Sequence, residues 1–567
     1  MHRAVAAGHA HHKWKVIPVS SQGSNHPEAR ISADVMGARS QALGDLLRRT
    51  AARKPDKLAL VNGELRWSYR ELDQAVNRAA ASLSGRGLSQ GDRLALVSHN
   101  CWHYVVLAFA TARIGAILVP VNFMLIADEM AYVLAHSGAS GVVTEDTLHP
   151  TVSRAAALAG LTGGIRGWIP LTGAPAVEGW EDVTPWATQG DDAPPEVLVA
   201  DDDPLRLMYT SGTESRPKGA ILSSRSLIAQ YVSCVVDGGM EPDDVELHSL
   251  PLYHCAQMDC FLGPDIYLGA TSVILAVPDP ATVLRTIATE KITKFFAPPT
   301  VWIALLCHPD FDGTDLTSLR KGYYGASAMP VEVLREIQQR LPDLRLWNFY
   351  GQTEMAPLAT ILPPEDQIRH AGSAGRPALN VETRVVDDED QPVPAGEIGE
   401  ICHRSPQATL GYWNDPDKTA EAFRGGWFHS GDLGVMSQDG LLSVVDRKKD
   451  IIKTGGENVA SREVEEAIYL HPDVAEVAVF ATPDPRWVEA VTAAVVAKPG
   501  STLTPDAVIE HCRGRLAGFK VPKVVRIVGS LPKNPSGKLL KRALRTDFQT
   551  MTAPADAPGT DRTRHEQ

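Results

Sequence analysis

The segment that most constrains this chain is Tyr209-Thr210-Ser211-Gly212-Thr213-Glu214-Ser215-Arg216-Pro217-Lys218-Gly219. It packs hydroxyls, two glycines and a lysine into one short stretch. An apolar run over 205–208, broken only by Arg206, leads into it and predicts a strand feeding a mobile loop. Glycines let backbone N–H groups approach a polyanion, hydroxyls donate to phosphate oxygens, and a lysine adds a point charge. A nucleoside triphosphate fits that combination. The loop is not a Walker A motif, which needs Gly-Lys-Ser/Thr opening a helix, whereas here the order is Lys218-Gly219. Alone, the segment also fits a polar surface loop between a strand and a helix, so the rest of the chain decides.

With 567 residues the chain is too long for one ordinary core and implies two or more domains. Its 44% hydrophobic and 22% charged content is that of a soluble globular protein. A net charge of -13 argues against a nucleic-acid partner, which needs a basic face. The cysteines (101, 234, 255, 260, 307, 402 and 512) are scattered and contain no Cys-x-x-Cys pair. A disulfide framework or structural zinc site is not expected, and a reducing cytoplasm is the expected setting. The apolar stretch over 104–125 is interrupted by Arg113 and Pro120, so no transmembrane segment is expected; a buried helix over 104–113 and a buried strand over 116–121 fit better. His2, His9, His11 and His12 offer metal ligands, but residues 1–36 read as a disordered extension, or Met36 as the start, without a signal-peptide core. Residues 549–567 read as a disordered tail.

From 41 to 122 helix and strand alternate: helix 45–53, strand 58–61, helix 69–86, strand 93–97. Strands over 272–275, 294–297 and 344–347 continue the rhythm, which indicates layered α/β structure with mostly parallel sheets. After 382, short strands and turns suggest a β-rich subdomain. Beyond the basic junction Asp446-Arg447-Lys448-Lys449-Asp450, a compact α/β segment is expected: helix 462–470, strands 475–480 and 491–496, helix 505–516 and strand 524–528.

Five further segments carry chemical promise. In Tyr350-Gly351-Gln352-Thr353-Glu354 the tyrosine could stack on a purine, the threonine donate to phosphate and the carboxylate hold Mg²⁺; the bland alternative is a strand-end turn. Gly325-Ala326-Ser327 is a turn of small residues with room for a flat ligand. Asp432, ending an aromatic run, and Arg447 suit ribose hydroxyls, although a surface ion pair is the common alternative. Lys453, Gly455 and Gly456 follow a short apolar strand, and Lys538 sits on a glycine-tipped loop.

In this order the segments resemble the adenylate-forming superfamily of acyl-CoA synthetases, adenylation domains and luciferases, over roughly 41–545. The resemblance implies a large N-terminal domain (37–448) of two layered α/β subdomains plus a β-barrel. A small mobile α+β C-terminal domain (449–548) would turn about a hinge at Lys449. It implies ATP and coenzyme A as co-substrates and Mg²⁺ as cofactor. Thr210, Ser211, Gly212, Thr213 and Lys218 would embrace the β- and γ-phosphates. Tyr350 and Gly351, with Gly325, Ala326 and Ser327, would hold adenine; Asp432 and Arg447 would hold ribose. Thr353 would touch the α-phosphate, Glu354 the metal, and Lys538 would bridge carboxylate and α-phosphate. Lys453, Gly455 and Gly456 would line the pantetheine tunnel. Two departures stand out: Glu214-Ser215 in the phosphate loop, and Ser224 where many members carry histidine.

In Leu250-Pro251-Leu252-Tyr253-His254, His254 matches the family's gate to the substrate carboxylate, with a core histidine as the alternative. The following helix, Trp302 and Met355 are expected to line an apolar acyl pocket. That favours a medium- or long-chain fatty acid over an amino acid, with Asp259 the one residue able to pair an ammonium. The expected activity is ATP-dependent ligation of a carboxylic acid to coenzyme A. The alternatives are a fatty acyl-AMP ligase serving a carrier protein and a non-catalytic nucleotide-binding regulator. A homodimer is allowed by the family but selected by nothing in the residues.

Overall fold

The computed structural model describes residues 33–210, 216–325, 327, 329–533 and 539–552. A short helix, Ala33–Arg39, begins inside the stretch expected to be a disordered extension, and forms a unit apart from the compact body that starts at Gln41.

Among the described residues that body contains four sheets. The seven-stranded one runs, edge to edge, Glu181–Asp182, Ile165–Ile169, Gly141–Glu145, Arg93–Val97, Ile117–Pro120, Pro204–Thr210 and Lys218–Ser223. Its pairings are parallel except the last, which is antiparallel and sets Thr210 opposite Lys218. The segment read above as a loop therefore joins two strands of a hairpin rather than a strand and a helix; the helix Ser224–Asp237 follows only after the second strand.

The nine-stranded sheet has a parallel centre built from Leu58–Asn62, Thr271–Ile274, Val245–His248, Lys294–Phe296, Lys321–Gly325 and Arg345–Gly351. Antiparallel strands close both of its edges, Leu65–Ser68 on one side and Leu358–Leu362 with Arg376–Pro377 on the other. The helices Tyr69–Gly85 and Trp102–Arg113 lie in one core with residues of both sheets, among them Leu60, Ile274, Leu94 and Val143. A Ser68–Glu71 capping box starts the first helix, each residue accepting the other's backbone N–H. The second is apolar all round and buried except at Trp102, as a helix between two sheets must be. Arg113, the charge that interrupts this stretch, is buried and donates to the Gly44 carbonyl and to Asp73 at 2.8 Å, which satisfies its guanidinium.

The β-rich subdomain is an antiparallel sheet of Glu382–Val386, Ile398–Arg404, Phe428–Met436 and Leu442–Arg447. The C-terminal segment has its own five-stranded sheet, with the helices Ser461–Tyr469 and Pro505–Arg513 sharing its apolar cluster. The helix Lys541–Thr552 covers a second cluster around Phe480 and runs four residues into the stretch expected to be a tail. All seven cysteines are free. Among the described residues no helix is long and apolar enough to cross a membrane.

Candidate active site

In open α/β sheets ligands settle outside the carboxyl ends of the parallel strands, where loops leave the sheet. Three such ends meet here. The strand Val245–His248 runs on to His254, Lys321–Gly325 to Ser327, and Arg345–Gly351 to the single-turn helix Thr353–Met355. Gly351 is needed for packing: a Cβ there would stand 1.9 Å from the Pro357 carbonyl oxygen.

A chain of contacts links these ends to the hairpin of the other sheet. The Lys218 ammonium lies 4.8 Å from the centre of the Tyr412 ring, and the Tyr412 hydroxyl donates to Glu354 Oε1 at 2.9 Å. Tyr412 arrives there because segment 410–413 pairs with the free edge of Lys218–Ser223: Leu410 donates to Ile221 O, Ile221 to Gly411 O, and Trp413 to Gly219 O. Burial, with the Glu354 carboxylate next, raises the Tyr412 phenol far above its usual range, so it stays a donor.

Beside Glu354, the Thr353 hydroxyl is 3.3 Å from Cys255 Sγ, and Cys255 follows His254 directly. His254 is half-buried, and its Nδ1 accepts from the Ala256 backbone at 3.2 Å. Burial pushes the Cys255 thiol up to about 11, so it behaves as a weak donor and not a nucleophile.

On the other flank, the Tyr350 hydroxyl donates to Asp432 Oδ2 at 2.7 Å, and Arg447 Nε lies 3.5 Å from Asp432 Oδ1. Asp432 and Arg447 are cross-strand partners in the antiparallel sheet, which explains why residues far apart in sequence meet. Burial first, then Asp432, holds the Tyr350 phenol well above its usual range.

The structure thus brings Thr210, Lys218, Glu354, Thr353, His254, Tyr350, Gly351, Asp432 and Arg447 into one connected array, with Gly325 at the adjoining strand end. Ser327 is exposed beside it. Ser211, Gly212, Thr213, Ala326 and Lys538, and the departures at Glu214 and Ser215, lie outside the described residues. Lys449 sits in the exposed turn after Leu442–Arg447. Lys453, Gly455 and Gly456 belong to a separate hairpin of the C-terminal sheet. Gly455 and Gly456 both have positive φ, 59° and 89°, the pairing that a two-residue type I′ turn requires.

Two expectations change. Asp259 is fully buried and paired with the Arg206 guanidinium, with the Tyr231 hydroxyl donating at 3.3 Å, so it is committed to an internal ion pair. Trp302 lies in the core against Phe295 and donates to the Tyr323 carbonyl. Ser224, one of the two departures, is buried, and its hydroxyl accepts from the Leu43 backbone at 2.9 Å.

Glu246, His248 and Asp265 converge like a metal-ligand set, but the Lys294 ammonium stands among them, 2.8 Å from Glu246 Oε2. That cluster carries its own cation. For Mg²⁺ the fitting donors are at the array: Mg²⁺ takes hard oxygen ligands from one or two carboxylates plus phosphates and water. Glu354, oriented by Tyr412 and facing the hairpin that carries the Thr210 hydroxyl, offers that chemistry.

Tyr412 escaped the sequence reading, although a glycine before an aromatic pair at 411–413 marks a close backbone approach. So did Tyr132 and His136, four apart on the helix Ala127–Ser137, which meet the hairpin.

Comparison with known proteins agrees. The AMP-binding enzyme family model matches residues 47–413, and its C-terminal domain model matches 463–538. A feruloyl-CoA synthase from Amycolatopsis sp is 37% identical over 90% of this chain and 100% of that protein. A long-chain-fatty-acid–CoA ligase from Escherichia coli is 34% identical over 92% of this chain and 97% of that protein. The crystal structure of the anthranilate CoA ligase AuaEII in complex with anthranoyl-AMP superposes with a TM-score of 0.84 at 26% identity, covering 90% of this chain and 98% of that one. The family model covers more than half of the chain and these relatives match it over nearly their full length, so this chain belongs to the AMP-binding enzyme family.

Proposed function

We propose that the chain activates an apolar carboxylic acid with ATP, forming an acyl-adenylate and pyrophosphate, and then transfers the acyl group to coenzyme A, releasing AMP. The observation that carries this reading is the continuous contact path from Lys218 through Tyr412 to Glu354, with Thr353 and His254 beside it.

A carboxylate is already ionised at neutral pH, so no general base is required for its attack on the α-phosphate. The barrier lies in bringing two anions together and stabilising the charge that develops. Thr210 and Lys218 meet the β- and γ-phosphates; Thr353 donates to the α-phosphate. Tyr350 packs on adenine, with Gly325, Ala326 and Ser327 around it, while Asp432 accepts from the ribose hydroxyls and Arg447 fixes Asp432. Glu354 would hold Mg²⁺, which when bound supplies positive charge to the phosphate oxygens. Lys538 completes the charge at the reacting carboxylate, and His254 gates its approach. Turning about Lys449 brings Lys453, Gly455 and Gly456 to the pantetheine arm for the second half-reaction.

The acid class follows from Asp259. That carboxylate, the one expected to pair an ammonium, is already paired with Arg206, which disfavours amino acids. The relatives' names divide between aromatic and fatty acids, so the fatty-acid expectation broadens to an apolar acid, with medium- and long-chain fatty acids and hydroxycinnamic acids the two classes to test.

The test is pyrophosphate release with ATP, Mg²⁺ and a panel spanning both classes, with and without coenzyme A. Coenzyme A-dependent turnover on one class supports the proposal and names the substrate. Release that ignores coenzyme A would replace it with an acyl-AMP ligase serving a carrier protein, and no release with any acid would overturn it.

A further inference from the structure

The helix Ala127–Ser137 supplies no group that the reaction consumes, yet two of its side chains face the phosphate hairpin. Tyr132 and His136 are one turn apart and share a face; their rings stack with centroids 5.2 Å apart. They meet opposite limbs. His136 Nδ1 lies 2.8 Å from the hydroxyl of Tyr209, the residue before Thr210. Burial lowers the pKa of His136 and raises that of Tyr209, so at neutral pH the imidazole accepts and the phenol donates. On the other limb the Tyr132 hydroxyl donates to the carbonyl of Pro217, the residue before Lys218, at 3.2 Å, and the Arg216 guanidinium stacks 5.3 Å from the Tyr132 ring centre. Thr210 and Lys218 are cross-strand partners, so each is held through the residue that precedes it. A cavity of about 170 Å³ lies here, lined by Tyr132, His136, Arg216, Lys218, Tyr412 and Lys418 among others.

A hairpin mouth held from both limbs by one helix face cannot splay without breaking at least one of the two contacts. Ordering completed before the ligand arrives is not charged against its binding. We propose that Tyr132 and His136 are positioning residues that hold the Thr210–Lys218 mouth at the spacing a triphosphate needs, acting through Tyr209 and Pro217 without touching the nucleotide. This rests on the reading of the hairpin as the triphosphate-binding element. The effect is confined to the phosphate end: the adenine and ribose contacts at Tyr350, Asp432 and Arg447 do not involve the helix.

The experiment is calorimetric titration of the full chain with MgATP and, separately, with AMP, for the parent and for Tyr132→Ala, Tyr132→Phe and His136→Ala. Each alanine variant is expected to weaken ATP about tenfold, the scale of one lost hydrogen bond with its packing, and to leave AMP within about twofold. Tyr132→Phe keeps the ring under Arg216 and should lose only about threefold; it also covers the case in which an alanine variant fails to fold. Unchanged ATP affinity in both alanine variants, or equal weakening of ATP and AMP, overturns the positioning role. A parent chain that binds AMP but not ATP would overturn the hairpin reading itself, a result distinct from a parent that binds ATP and variants that bind it equally well.

Discussion

Tyr412 donates its hydroxyl to Glu354 Oε1 at 2.9 Å while its ring lies beneath the Lys218 ammonium, so one side chain orients the acid on one sheet and faces the base on the other. Tyr412→Phe removes only the donation. A hydrogen bond to a charged acceptor contributes about 1.5–3 kcal/mol, so pyrophosphate release should fall at least about tenfold and need more Mg²⁺ for half-maximal rate. Tyr412→Ala also strips the ring from Lys218 and should fall further. A rate for Tyr412→Phe equal to the parent's at every Mg²⁺ concentration would show that Glu354 is oriented by other groups.

The Arg206–Asp259 pair is internal, and removing one partner leaves a buried charge unmatched. Asp259→Ala should cost about 3–5 kcal/mol of stability, read from urea midpoints, and Asp259→Asn less because its amide oxygen still accepts. The preference among carboxylic acids should not move. A change in acid preference at unchanged stability would return Asp259 to the acyl pocket.

His403 is fully buried, and burial lowers its pKa to about 3, against about 6.5 in an unfolded chain. Well above pH 6.5 both states are neutral and the stability is whole. Below it the unfolded chain binds a proton that the folded chain refuses, so stability falls by about 1.4 kcal/mol per pH unit between 6.5 and about 3. His103, lowered to about 3 by burial, adds a second such contribution. Denaturant midpoints at pH 7.5, 6.5 and 5.5 should therefore drop below 6.5, and His403→Gln should lose one proton's share of the slope. An identical slope in parent and variant rules out the assignment.

Lys538→Ala should slow adenylation by about 10²–10³, the loss of one preorganised transition-state donor, and leave thioester formation from supplied acyl-adenylate largely intact. Stopped-flow measurement of the two half-reactions separates these. Equal loss in both would sink the idea that Lys538 serves only the first.

Of the seven cysteines only Cys307 is exposed, and burial raises the thiols of Cys101, Cys255 and Cys512 to about 11. Brief iodoacetamide treatment of the native chain at pH 7.5 should label Cys307 alone, seen by mass spectrometry, and Cys307→Ser should abolish labelling. Early modification of Cys255 would mean that the array opens to solvent far more than its packing implies.

The site's strand ends were legible because apolar runs stop at clusters of glycine, hydroxyl and charge, as at 205–219 and 346–354. Such punctuation is local. What local pattern could not show was tertiary choice. Arg206 read as a flaw in an apolar strand until Asp259, 53 residues on, proved to be its partner. Trp302 read as pocket lining because core and pocket have the same apolar composition. Tyr412 gained its place from edge pairing with Lys218–Ser223, which no periodicity encodes. The second limb of the hairpin, Lys218–Ser223, was not singled out as a strand because its short apolar run leads straight into the helix that follows.

The C-terminal segment meets the rest of the body through polar contacts: Ser461 N donates to Asp446 Oδ2 at 2.6 Å, and Arg462 donates to the carbonyls of Val444 and Gly372. Its apolar clusters, among the described residues, draw on nothing before Ile452. Each of these bonds exchanges for a bond to water at about 1 kcal/mol net, whereas a shared apolar seam would have to be torn open at about 25 cal/mol for every Å² exposed. The segment is latched rather than welded. Under the proposed two-step reaction, re-latching this one folded piece between acceptors would cost little beside the chemistry it serves.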